Sequence, residues 1–66
     1  MAILSDFENK VMDYLIKRKT AATVKQIAKF FIRSESYVSG TMRLLEQKEL
    51  IQVVTAGKTK FFAVKD

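Results

Sequence analysis

TVKQIAKFFIRSESYVSGTMRLLEQ, residues 23–47, is the stretch on which the fold turns. It opens on Thr23-Val24-Lys25-Gln26, a T-x-x-Q capping box, with Ala22 and Ile27 spaced as a hydrophobic staple. Val24, Ile27, Ala28 and Phe31 then share one helical face, which predicts a short helix over residues 24–31. Ala28 is small enough to let a neighbouring helix approach closely, and Lys25 and Lys29 lie together on the outer face. Ile32-Arg33 reads as a brief turn and Ser34 as the cap of a further helix over residues 35–47. Along that helix Val38, Met42 and Leu45 form an apolar stripe with Leu44 on its flank. Ser36, Tyr37, Ser39, Gly40 and Arg43 fall on the opposite side, with Arg33 and Glu35 at its start. A glycine inside a helix costs roughly 1 kcal/mol relative to alanine, so either another surface comes close at Gly40 or the chain tolerates the cost.

Upstream, Ser5-Asp6-Phe7-Glu8 is an S-x-x-E capping box. Phe7, Val11, Tyr14 or Leu15, and Arg18 follow at helical spacing, predicting a first helix over residues 6–18. Asp6 and Glu8 complement the positive end of its dipole, and Lys17, Arg18 and Lys19 the negative end. After Leu50 the hydrophobic period changes to two, and two β-branched or aromatic runs flank Ala56-Gly57-Lys58-Thr59. A hairpin over residues 51–64 follows, in the same register whether the turn has two residues or four. It pairs Ile51 with Val64 and Val53 with Phe62 on a face that packs on the helices, and Val54 with Phe61 on the other. Lys58 and Lys60 cluster at its tip, and a short extra strand near residues 21–23 is compatible with the pattern.

The 66 residues form one domain in this reading, 1–66, with no repeat or linker, and they contain no cysteine and no histidine. That removes thiolate zinc sites, disulfides, the commonest general base and the commonest metal ligand. No acid–base pair or glycine-rich phosphate loop stands out either, so we expect no enzyme, no cofactor and no metal. Apolar residues at 48% and charged residues at 29% suit a globular chain, without an apolar run long enough for a membrane span or a signal-peptide layout. A cytoplasmic, nucleoid-associated location is the expectation. The net charge of +5 is unevenly spread: residues 17–43 hold seven Lys or Arg against Glu35 alone. A basic middle third is the footprint of a polyanion partner.

Three helices, the last two joined by a tight turn, then a basic-tipped hairpin, make an α+β layout, that of a winged helix-turn-helix. The residues also resemble small bacterial and archaeal winged-helix repressors of the multiple-antibiotic-resistance and arsenic-sensing types. Those carry a stretch reading roughly L-A-x-x-L-G-V-S-x-S-T-V-S-R-x-L-x-x-L-E-x-x-G-L-I. Ile27-Ala28 and Phe31 fit its opening, and Ser34, Ser36, Val38 and Ser39 its serine and valine positions. Met42, Leu45, Glu46 and Leu50-Ile51 follow, and Phe62-Ala63-Val64 is similar to the family's closing Y-x-L. Ile32 stands at the place of the turn glycine, which suggests a remodelled turn or a longer second helix. Glu49 stands at the glycine before Leu-Ile, suggesting a less abrupt helix end, and Gly40 occupies a place where a contacting Arg is common.

The resemblance implies a sequence-specific regulator of transcription, a repressor type, that binds double-stranded DNA with its third helix in the major groove. Ser34, Ser36, Tyr37, Ser39, Gly40 and Arg43 would face the bases, with Arg43 suited to guanine or a phosphate. Lys25, Lys29 and Arg33, with Lys58, Thr59 and Lys60 of the wing, would hold the backbone. A single module covers only about 600–1,000 Å² of DNA, so a homodimer or a protein partner would supply the rest. Ile3, Leu4, Met12, Ile16, Val54 and Phe61 are the apolar candidates for that surface, unless the N-terminal residues cover the hairpin within one molecule. The alternative is a winged-helix module that binds another regulator or the transcription machinery. A third reading, an RNA or membrane-surface binder, would use charge alone.

Overall fold

A computed structural model describes residues 4–65. Helix α1 (Asp6–Arg18) begins at the capping box the sequence announces. The Ser5 N–H donates to Glu8 Oε1 at 3.0 Å and the Glu8 N–H to Ser5 Oγ at 3.2 Å. Helix α2 (Val24–Phe31) begins the same way, with reciprocal Thr23–Gln26 bonds of 3.0 and 3.1 Å. Helix α3 (Glu35–Gln47) is capped by Ser34 Oγ, which accepts from the Tyr37 N–H at 3.1 Å. Each cap satisfies backbone donors that the first helical turn cannot, so the starts are set locally.

Strands β1 (Ile51–Ala56) and β2 (Thr59–Val64) form the antiparallel hairpin, with Ile51 opposite Val64, Val53 opposite Phe62 and Val54 opposite Phe61. Gly57, at φ 64°, supplies the left-handed residue of the turn. The extra strand near residue 22 is a single bridge: Ala22 exchanges backbone bonds of 2.9 and 2.8 Å with Phe62. Three helices followed by a two-stranded hairpin make the winged-helix layout.

The core is assembled from the predicted stripes. Val11 and Leu15 of α1, Ile27 and Ala28 of α2, and Val38, Met42 and Leu45 of α3 are buried together with Ala22, Ile51 and Phe62. A polar link ties two helix ends together. The Glu8 carboxylate is almost wholly buried and accepts the Lys48 ammonium at 3.0 Å, tying the start of α1 to the end of α3.

Two turns differ from expectation. The turn after α2 is not remodelled, and α2 is not lengthened. Instead Ile32 itself adopts the left-handed conformation, φ 56°, and Arg33 N–H closes onto the Ala28 carbonyl at 2.9 Å. Glu49 does the same at φ 59°, with Leu50 N–H on the Leu45 carbonyl at 3.1 Å, so α3 also ends sharply. Both are the six-to-one closure usually made with glycine. The geometry survives because the hydrogen bond and the docking of the following segment hold it, at a conformational cost of roughly 1–2 kcal/mol per residue. Ile32 is 90% exposed, so its side chain returns little of that cost. Ile32→Asn is therefore expected to stabilise the fold by about 1 kcal/mol, a rise of about 4–8 °C in melting temperature. A lower melting temperature would show that the isoleucine side chain has a packing role.

Candidate nucleic-acid interface

The helical and hairpin ends converge on a groove of about 380 Å³ bounded by the start of α2, the outer face of α3 and the hairpin tip. Lys25 comes from α2, Ser39 and Arg43 from α3, and Lys58, Thr59 and Lys60 from the hairpin. Glu46 is the one carboxylate on its walls. None of these four cations makes an ion pair among the described residues; the two ion pairs found there are Lys17–Asp13 and Lys48–Glu8. Four cations facing one carboxylate leave the groove net positive, and its low-dielectric wall focuses that field outward.

A shallower depression continues along α3, lined by Ser36, Ser39, Gly40 and Arg43 with Val24 and Glu35. Gly40 lies in regular helix on this exposed face, and a Cβ added to it would meet nothing within 4 Å. Nothing inside the chain requires glycine there. Gly40→Ala is accordingly expected to raise stability by about 1 kcal/mol, read from the denaturation midpoint. No change would mean that the glycine is not a cost.

Not every residue selected from sequence joins this surface. Ser34 is occupied as a helix cap. Tyr37 is half exposed, but its ring lies 4.9 Å from that of Phe7, and the Arg33 guanidinium sits 5.6 Å from the Tyr37 ring and 5.8 Å from that of Phe7. Arg33 and Tyr37 thus fasten the corner between α2 and α3 to α1. Lys29 is exposed on α2 and lines neither depression.

The apolar candidates also divide. Ile16 and Val54 are exposed, at 55% and 54%, and Phe61 is half-buried. Leu4 and Met12, expected on the outer surface, pack against the core instead. Met12 follows Val11 on the flank of the buried stripe, which draws it inward. Ile3 lies outside the described residues.

Sequence reasoning passed over an aromatic cluster. Phe7, Tyr14, Phe30, Phe31 and Tyr37 stack in a chain with ring centroids 4.4–5.7 Å apart. Its signal was the Phe30-Phe31 pair, of which only Phe31 fits the buried stripe of α2. Among the described residues no group of three or more His, Cys, Asp or Glu is placed to hold a metal ion. No helix among them is long and apolar enough to cross a membrane.

No protein-family model matches the chain, and none of the curated proteins matches it significantly. The functional reading rests on the geometry.

Proposed function

We propose that this chain binds double-stranded DNA as a small, sequence-specific transcriptional regulator of the winged-helix type. One observation carries the reading: Lys25, Arg43, Lys58 and Lys60, from three separate elements, line one groove beside the exposed hydroxyls of α3. A polyanion with regularly spaced phosphates can engage cations carried on three separate elements at once. Helix α3 lies in the major groove with Ser36, Ser39 and Arg43 toward the base edges, and Gly40 lets its backbone approach. Lys25, Lys58, Thr59 and Lys60 hold phosphates on either side, which positions α3 without reading sequence.

The test is titration of a random duplex at increasing salt. Three phosphates neutralised by Lys25, Lys58 and Lys60, each contributing about −0.9, give a slope of about −2.7 in log affinity against log salt, or roughly 40-fold weaker binding from about 50 to about 200 mM. A slope near zero overturns the reading. Gly40→Ala, stabilising in the free chain, weakens duplex binding because its methyl group occupies the approach.

A further inference from the structure

Away from the basic groove, and sharing no lining residue with it, a second groove of about 410 Å³ runs between α1 and the end of α2. Tyr14, Phe30 and Phe31 form its apolar wall. The Phe30 ring lies 4.4 Å from that of Tyr14 and 4.9 Å from that of Phe31, centroid to centroid, yet Phe30 remains 61% exposed. A phenylalanine held in place by two neighbours but left open to water is a preformed contact, because its ordering cost is already met in the free chain. Aromatic and arginine side chains in such positions carry most of the energy of protein interfaces.

The rim fixes the sign of the partner. Lys10, Lys17 and Arg18 stand around the groove against Asp13 alone, and Lys17 holds Asp13 at 3.0 Å. Arg18 is oriented by donating to the Tyr14 hydroxyl at 3.0 Å, with its guanidinium 5.9 Å from the centre of the same ring. Lys10 and Arg18 therefore remain as the uncompensated charges beside an apolar wall. Two copies of this groove facing each other would set cations against cations, which disfavours self-association through it.

We propose that this groove docks an acidic amphipathic segment of a partner protein. An apolar or aromatic side chain of that segment lies on Phe30, and its carboxylates meet Lys10 and Arg18. A protein bound here adds contact area without occupying the DNA groove, so the chain can join a partner to a duplex.

The experiment uses the full chain, isotope-labelled, and a synthetic helix-forming peptide with Glu and Asp around Leu and Phe at i and i+4. Resonances of Lys10, Tyr14, Phe30 and Phe31 are expected to shift, and Phe30→Ala to weaken the peptide about tenfold. Lys10→Glu is expected to weaken it severalfold without touching a packed side chain, which keeps the test valid if Phe30→Ala disturbs folding. A peptide with Lys replacing the acids is expected not to bind. Duplex binding by both variants stays at its original strength, so failure here and failure of the DNA reading are separable. Shifts confined to Arg43 and Lys58 would overturn the proposal, as would unchanged peptide affinity in both variants. So would single-stranded DNA moving Tyr14 and Phe30 where the peptide does not.

Discussion

Glu8→Ala is expected to lose about 2–3 kcal/mol of folding free energy, a large part of the total available to a domain this small. The carboxylate has two tasks. It accepts the Ser5 N–H that closes the first turn of α1, and it accepts the Lys48 ammonium across 40 positions of chain. A capping side chain contributes about 1 kcal/mol, and a charge-assisted bond in a sheltered place about 1.5–3 kcal/mol, reduced here because Lys48 keeps part of its exposure. Glu8→Gln retains the neutral acceptor for Ser5 and is expected to lose about half as much.

The same residue sets an acid limb. The Ser5 backbone bond, followed by the Lys48 hydrogen bond, holds the Glu8 carboxyl below its ordinary value of 4.5, against the opposing effect of burial. The folded state therefore binds that proton less readily than the unfolded chain. Its contribution is complete above the ordinary value and declines as pH falls through the lower folded value. The stability gap between the original chain and Glu8→Gln narrows below about pH 4.5. Chemical denaturation at neutral and acid pH measures this, and a gap independent of pH would contradict the assigned charge role.

Arg43→Ala combined with Lys58→Ala is expected to weaken duplex binding by about a hundredfold at low salt, about tenfold for each charge-assisted hydrogen bond removed. The salt slope is expected to become shallower by about one, for the phosphate held by Lys58, since Arg43 faces the base edges. Both residues are exposed, so the melting temperature should stay where it is. The combination of weaker affinity, flattened slope and intact fold separates an electrostatic role from a structural one. Original affinity in the double variant would remove the groove from consideration.

What the sequence made legible was local. Ser5 with Glu8 and Thr23 with Gln26 specify helix starts within four residues of chain, and the observed bonds are those pairs. The hairpin register was likewise readable, since the period of two and the position of Gly57 admit one pairing. The conformations of Ile32 and Glu49 were not, because side-chain identity argues against positive φ and only the packing of the next segment enforces it. The Glu8–Lys48 link was hidden by its separation in sequence. At the site, the cations were legible, and so was the approach of Lys25 and Arg43 to Lys58 and Lys60, but the departure of Arg33 was not. Arg33 lies over Phe7 and Tyr37, and no helical-face argument confined to α2 or α3 reveals that.

Amide-shift mapping of the labelled chain on a short duplex at low salt addresses the DNA interface most directly. Perturbations are expected at Lys25, at Ser36 through Arg43, and at Lys58 through Lys60, with Tyr14 and Phe30 unmoved. Perturbations confined to the Val54 and Phe61 face or to the aromatic groove, or none at all, would contradict it.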